Sequence, residues 1–562
     1  MAGGVKLKKI KVKSNPPQPP FCKGGRVRVP PLCKGGLGGI FLLLCFFASL
    51  LLSSCQFKVP KDPETLVTHL MADPGILNPI LSTDAFSFDV MNYIYETLIE
   101  MDNKTLEYKP LLAESWDVSD DHLQFTFHLR KDVKWQDGVP FTAEDVLYSY
   151  NKIQDPKVDA AVSRVSFRDV KKVEMLDKYT VRFTYAKPYF RALLVCGAIS
   201  VIPKHIYDNG VDFNTHPANR HPIGTGPFMF KEWKTKQKVV LVKNPNYWRD
   251  PPKIDSIVFK IIEDQTVPFQ ELKKGDIDLM GIRPIQWERE TDTKSFESQF
   301  NKAEYYLPQF SYIGWNLRRP FFSDKRVRHA MSMMVDKESF LKKIMFGHGV
   351  IVEGDQYYFG SAYDRSIKPD PFDPEGAKRL LDEAGWIDHD GDGLRDKDGV
   401  SFKFDYYYAS ASVGAAQMGT MLREDLQKIG ILMDLRGLEF NALIKVLNEH
   451  SFDAVTLAWT VPLENDPYQV WHSSQVKEGS NYIGFENKEA DKIIEEIRVE
   501  FSKNKRDELF KKLQQILHDE QPYTFLFNQA SLVAYNKRFT NVKVYKLGLD
   551  IREWGVDNKF KR

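Results

Sequence analysis

Between Phe402 and Trp459 the chain alternates two hydrophobic periods, and that alternation restricts the fold more than any other feature of the sequence. Phe402–Tyr408 is a short β-favouring run, Val413 to Ile429 carries helical spacing, and Ile431–Leu435 returns to strand. A second helical run near Asn441–Leu447 leads into a third apolar strand, Phe452–Trp459, with Val455 and Leu457 on one face. Strands separated by helices pair parallel, because the helix carries the chain back to the starting end of the sheet. The stretch therefore specifies an α/β layer.

Beyond the third strand the chain turns polar and loses its periodicity. Pro462 and Pro467 cannot continue a ladder, and the loop between and after them carries Glu464, Asp466, Tyr468, Trp471 and His472, with Trp459 at its root. Rigid aromatics and a few carboxylates on a loop held by a buried strand suit a binding site. The competing reading is a loop that tucks its tryptophans into its own core.

Upstream, the order of elements is legible from period and punctuation. Leu66–Met71 reads as a strand, followed by a turn-rich loop with Pro74, Gly75 and Pro79, and Val90–Ile99 as a helix. Leu123, Phe125, Phe127 and Leu129 alternate with polar residues, the pattern of a half-buried strand. Asp137-Gly138 marks a tight turn, and Thr142 with Asp145 forms a capping box ahead of a helix. Tyr179–Tyr185, Val239–Val242 and Ile257–Ile262 add strands; Gly224-Thr225-Gly226-Pro227 is read as a turn whose glycines permit positive φ. Asp373-Pro374 starts the helix that Gly385 ends. Lys488–Phe501 and Arg506–His518 are amphipathic helices, and Tyr523–Phe527 is read as a strand.

A chain of 562 residues exceeds one ordinary core, so two or three domains are expected. Residues 1–54 hold nine Lys or Arg and no acid, which leaves 69 basic against 76 acidic residues in the remainder. A mildly acidic body lacks the basic surface that nucleic-acid binding requires. Four of the five cysteines, Cys22, Cys33, Cys45 and Cys55, lie in the first 55 residues; Cys196 alone remains, so the body holds no disulfide and no thiolate-built zinc site.

The N-terminal segment is not part of the fold. PPFCKGG at 19–25 and PPLCKGG at 30–36 are near-duplicates within a basic Pro/Gly-rich stretch, which reads as translated repetitive DNA or an over-extended gene start. Ile40–Leu52 is almost wholly apolar, too short to span a bilayer, and of a length that suits a signal-peptide core. Leu52-Ser53-Ser54-Cys55 resembles a bacterial lipoprotein box, which implies cleavage before Cys55, lipidation of its thiol, and a mature chain tethered to a membrane in the periplasm or at the cell surface.

The segment LAESWDVSDDHLQFTFHLRKDVKWQDGVPFTAEDV at 112–146 resembles the most typical segment of the extracellular solute-binding proteins of family 5, the peptide and nickel class that serves ABC importers. PIGTGPF at 222–228, NPNYW at 244–248, LKKGDIDL at 272–279, DKRVRHAMSMMVD at 324–336 and AKRLLDEAGW at 377–386 occur in the family's order and cover the chain after about residue 63. The resemblance implies an α/β fold of the periplasmic-binding-protein type II, with two lobes, a hinge and an extra small domain in the first lobe, and it implies that Tyr523–Phe527 returns to the first lobe, because the family's C-terminal segment crosses back there. On that frame, 55–62 is a tether; 63–104 with 222–305 and 529–562 make lobe I; 105–221 is its extra subdomain; and 306–528 is lobe II.

It further implies a monomeric receptor that captures peptides between the lobes and passes them to a permease, with no cofactor and no enzymatic activity. The alternatives are a nickel chelate, haem or oligosaccharide ligand on the same fold, or a surface interaction or chaperone-like protein without transport. Residue by residue, Ala458-Trp459-Thr460 matches the strand that binds ligand backbone in peptide-binding relatives, and the loop Thr83–Phe88 matches a ligand-contacting loop in which Phe86 is the candidate. Relatives carry an ammonium-binding aspartate where this chain has Pro462, so Glu464 or Asp466 is expected to replace it, with Tyr468 as a further wall.

Two other constellations bear on chemistry. Asp388, Asp390, Asp392 and Asp396 have the first half of a calcium-loop spacing, but Gly399 stands where the bidentate Glu belongs, and loops of this kind in the family serve as surface turns. No nucleophile elbow, HExxH or phosphate-binding loop is present, so His472 reads as a structural histidine.

Overall fold

The computed structural model describes residues 62–477 and 479–560. Cys55 and the apolar run before it lie outside the described residues. The second half of the chain is built on a five-stranded sheet, ordered Leu432–Leu438, Lys403–Ala409, Ala454–Thr460, Gln309–Trp315, Tyr523–Phe525. Lys403–Ala409 runs parallel to both neighbours, as crossovers through the Val413–Gln427 and Phe440–Asn448 helices require, while Gln309–Trp315 is antiparallel to both of its own. Both faces are covered, and period two sorts the side chains. Ile313, Trp315, Phe404, Tyr406 and Ala454 join the core beneath the helices Lys325–Met333, Pro374–Glu383 and Val413–Gln427; Phe310, Tyr312, Val455 and Tyr523 join the core under Lys488–Val499 and Lys503–Glu520. Each wholly buried large side chain contributes roughly 1.5–3 kcal/mol relative to exposure.

Local signals start and stop these elements. Asp373 Oδ1 accepts from the Gly376 N–H at 2.9 Å to cap Pro374–Glu383, which buries Ala377 and Leu381 and ends before Gly385 at φ +82°. Asp145 Oδ2 likewise accepts from the Thr142 N–H at 2.9 Å ahead of Ala143–Gln154.

Two four-stranded sheets occupy the first half. Thr65–Leu70 pairs parallel with Ser256–Ile261, and Lys238–Lys243 and Phe228–Lys234 continue the sheet antiparallel. Ala113–Val118, Gln124–Leu129, Thr180–Tyr185 and Val170–Asp177 form a wholly antiparallel sheet whose Phe125, Phe127 and Leu129 are buried, as their alternation specifies. A small sheet places Ser531–Asn536 between Leu279–Gly281 and Phe300–Tyr305. Among the described residues Cys196 is buried with no disulfide partner, and no helix is long and apolar enough to cross a membrane.

Two sequence expectations are displaced. Tyr523–Phe525 stays in the five-stranded sheet beside Gln309–Trp315; the strand that pairs with segments of the first half is Ser531–Asn536. The helix read over Val90–Ile99 lies earlier, at Ala85–Met91, because Asp84 caps it by accepting from the Ser87 N–H at 2.8 Å. Gly224 and Gly226 make no use of the positive φ open to them. They are needed for close approach: a Cβ would stand 1.8 Å from the Ile94 carbonyl oxygen at Gly224 and 2.7 Å from it at Gly226, where the Gly226 N–H donates to that same oxygen at 2.8 Å.

Candidate functional site

Ala454–Thr460 is paired on both edges for only half its length. Lys403–Ala409 stays beside it from Ala454 to Thr456, opposite Tyr406 to Tyr408. There the neighbour leaves: the Ser410 N–H donates to Leu438 O at 2.8 Å, and Ser412 caps the Val413–Gln427 helix. On the other edge, antiparallel pairing with Gln309–Trp315 continues to Thr460. The Val461 N–H donates to Pro308 O and the Asn316 N–H to Asp453 O, both at 2.9 Å, which fixes the phase of the ladder. Odd-numbered residues of this strand bond to Gln309–Trp315, so the backbone groups of Ala458 and Thr460 point to the edge that the neighbour has vacated. Ala458 and Thr460 are exposed and Trp459 is half-buried.

Cavities flank this edge. One of about 780 Å³ is lined by Leu457 and Ala458, by Val413, Phe440, Phe340 and Phe346, and by Arg283 and Arg289. A second of about 320 Å³ is lined by Trp459, Thr460, Tyr189, Arg191, Asp355 and Asp466. The first is largely apolar and the second is rich in charge, so together they offer a wall for side chains and a set of polar contacts.

The two loop carboxylates expected to read an amine are already engaged. Asp466 Oδ2 accepts from Tyr189 Oη at 2.9 Å and from Arg498 Nε at 3.1 Å, while its Oδ1 accepts from the Tyr468 N–H at 3.1 Å. The Arg498 guanidinium lies over the Tyr468 ring, 4.4 Å from its centre. Glu464 Oε1 accepts from Arg506 Nη2 at 2.6 Å. Tyr468 stacks on His472 at 4.3 Å and bonds Ser474 through its hydroxyl, and His472 Nδ1 lies 2.8 Å from Ser474 Oγ. Trp471 is fully buried against Tyr523 and half-buried Trp459 is not, and both tryptophans line the second cavity.

Asp355, which no sequence pattern singled out, stands in contrast. It is 3 % exposed, its Oδ2 accepts from Trp471 Nε1 at 2.9 Å and its Oδ1 from Gln356 Nε2 at 3.2 Å. Both donors are neutral, and among the described residues no cationic side chain pairs with it. Burial pushes its carboxyl above the ordinary carboxylate range against the pull of those two hydrogen bonds. Arg191, in the same cavity, has a buried Nε with no hydrogen-bond partner among the described residues.

The remaining candidates lie elsewhere. Phe86 is half-buried on the Ala85–Met91 helix, packed on the core of the first half, and lines neither cavity. Asp388, Asp390 and Asp392 are exposed, with carboxylate oxygens within 4.8 Å of one another. They are engaged by their own turn: Asp388 accepts from the Gly391 and Gly393 N–H groups and Asp392 from that of Leu394, while Asp396 accepts from the His389 N–H.

Comparison with known proteins places this geometry. Residues 107–481 match the profile of the bacterial extracellular solute-binding proteins, family 5. The oligopeptide-binding protein AppA of Bacillus subtilis is 32 % identical over 522 residues, covering 90 % of this chain and 94 % of AppA. The structure of that protein in complex with a nonapeptide superposes with a TM-score of 0.76 at 29 % identity, over 88 % of this chain and 99 % of AppA's. NikZ of Campylobacter jejuni, in complex with Ni(L-His), superposes with a TM-score of 0.75 at 27 % identity, over 88 % of this chain and 99 % of its own. The fold is that of the type II periplasmic binding proteins, and the chain belongs to family 5 of the bacterial extracellular solute-binding proteins.

Proposed function

We propose that this protein is the receptor of an ABC importer for peptides, and that ligand backbone pairs with the vacated edge at Ala458–Thr460 as an added strand. The observation that carries the reading is the strand that loses one neighbour at Thr456 while keeping the other to Thr460, beside a cavity of about 780 Å³. Main-chain pairing supplies affinity that is indifferent to side chains, while the apolar cavity admits them in variety. The peptide-bound relative agrees with this reading.

In this reading, lobe I comprises 63–104, 222–305 and 529–562 with 105–221 as its subdomain, and lobe II comprises 306–528. Ligand closes them about the connecting segments, and the closed form docks on a permease. Cys55 carries the lipid that keeps the receptor at a membrane. Calorimetry with a random library of three- to nine-residue peptides tests the function: saturable binding is expected, and no binding, together with no peptide co-purifying from the native host, overturns it. Mass spectrometry of the exported protein is expected to find lipid on an N-terminal Cys55; an intact Ser54–Cys55 bond overturns the tether.

A further inference from the structure

The reading of the cleft as a peptide site leaves one question that the loop carboxylates do not answer: where a ligand's positive end is held. Pro462 offers neither charge nor N–H, and Glu464 and Asp466 are each bound to an arginine. We propose that Asp355 is the anionic anchor of the cleft, and that it receives the ammonium group of the ligand. This inference rests on the peptide reading and deepens it.

Position comes first. Asp355 lines the charged cavity of about 320 Å³ together with Trp459 and Thr460, the last residues of the vacated edge. A peptide paired along that edge therefore presents one of its ends to this chamber.

Charge comes second. Of the chamber's ionic groups, Asp169 lies 3.8 Å from both Arg168 and Arg498, and Asp466 pairs with Arg498. Among the described residues that leaves Asp355 and Arg191 uncompensated, one of each sign. A carboxylate that is 3 % exposed and held only by neutral N–H donors is a costly state, because isolated buried charge loses its hydration without a counter-ion. An incoming ammonium supplies the counter-ion, and charge-assisted hydrogen bonds of this kind are about twice as strong as neutral ones. A ligand bearing both an ammonium and a carboxyl or amide oxygen leaves neither Asp355 nor Arg191 unanswered. That excludes a bare inorganic cation as the best fit and favours the N-terminal residue of a peptide.

Rigidity comes third. The Trp471 indole that orients the Asp355 carboxylate is wholly buried, 4.6 Å from the Tyr523 ring and 6.0 Å from that of Phe485. The carboxylate is thus fixed before ligand arrives, which spares the complex an ordering cost.

The test uses the full mature chain and one peptide library of three to nine residues in two forms, with free N-termini and N-acetylated. Wild-type protein is expected to prefer the free-amine form by about tenfold or more, the size of one charge-assisted contact. Asp355→Asn, which keeps the shape and an oxygen for Trp471, is expected to lose most of that preference while its affinity for the acetylated form stays within about threefold. Equal affinity of the wild-type protein for the two forms overturns the proposal without recourse to any variant, and so does an Asp355→Asn protein that keeps the full preference. Failure of the wild-type protein to bind either form instead overturns the peptide reading on which the proposal rests.

Discussion

The two halves of the Ala454–Thr460 strand are alike in sequence and opposite in environment. Ala454 and Val455 are 0 % and 1 % exposed and have a strand on each side; Ala458 and Thr460 are exposed and have a strand on one side only. Nothing in the strand itself makes this difference. It arises because Lys403–Ala409 turns away after Tyr408 to start a helix capped by Ser412. The first half shows how a strand serves the core; the second shows that a binding edge is made by where its neighbour stops. Natural sheets usually hide such an edge, so one left open beside a large cavity points to a transient partner strand.

Proline substitution at adjacent positions breaks the comparison if it is wrong. Leu457 donates its N–H into the ladder with Tyr312, whereas the Ala458 N–H faces the vacated edge. Leu457→Pro is therefore expected to destabilise the protein by about 3 kcal/mol, through the lost ladder bond and the proline ring forced into the middle of the sheet, with the Tyr312 carbonyl left only its bond from Thr456 Oγ1 at 3.0 Å. Ala458→Pro is expected to lower stability by less than about 1 kcal/mol, as for proline at a sheet edge, and to reduce peptide affinity by about tenfold or more. Denaturant unfolding and calorimetry on the two variants decide this. Equal destabilisation by both, or unimpaired binding by Ala458→Pro, removes the open edge as the site.

The loop after the strand sharpens the comparison by separating charges that hold structure from charges that meet ligand. Asp466 is 11 % exposed and engages Tyr189, Arg498 and the Tyr468 N–H; that is the pattern of a carboxylate that ties two parts of the fold together. Asp466→Ala is expected to reduce stability by about 2–3 kcal/mol, because buried Arg498 loses its hydrogen-bonded carboxylate and keeps only the longer 3.8 Å contact to Asp169. Peptide affinity should change by less than about threefold once the protein is folded, against the tenfold expected of a direct ammonium contact. A tenfold loss of affinity with unchanged unfolding would restore the loop carboxylate as the amine anchor.

How much of the molecule is legible in its sequence depends on the range of the interactions involved. The alternation over 402–460, the Phe125, Phe127, Leu129 stripe and the Asp373-Pro374 start are local, and each is set by neighbours within a few positions. The Asp84 cap is local too, and reading it would have placed the Ala85–Met91 helix. The site is not local. Glu464 meets an arginine 42 positions later, Asp466 one 32 positions later, and Asp355 is fixed by a tryptophan 116 positions away. Gly354-Asp355-Gln356 carries no spacing that distinguishes a buried anion from a surface turn, since only the fold decides what surrounds it. The same holds for Gly224, whose lack of a side chain answers to the Ile94 carbonyl and not to its own backbone angle.

The smallest expected effect belongs to an ion pair remote from the edge, where titration should touch stability and leave binding alone. His329 Nδ1 lies 2.8 Å from Asp370 Oδ2, and its Nε2 3.2 Å from the Asp519 carbonyl oxygen. Burial works against the charged form of each, yet the pair outweighs it: the His329 pKa is raised above 6.5 and that of Asp370 lowered below 3.8. A raised histidine contributes stability that is complete below about pH 6.5 and fades as pH climbs through its folded value; a lowered aspartate contributes stability that is complete above about pH 4 and fades as pH falls through its folded value. The contribution of the pair is therefore largest between about pH 4 and pH 6.5. The difference in melting temperature between wild-type protein and His329→Asn should be greatest near pH 5.5 and shrink by pH 8.5, with a free-energy equivalent below about 1 kcal/mol. Peptide affinity at those two pH values should differ equally for the two proteins, because His329 lines neither cavity. If the difference in melting temperature instead grows with pH, the histidine is neutral in the folded protein and the pair is an ordinary hydrogen bond; if the two proteins diverge in affinity, titration in this part of the sheet's cover reaches the open edge, and the two halves of the strand are not independent.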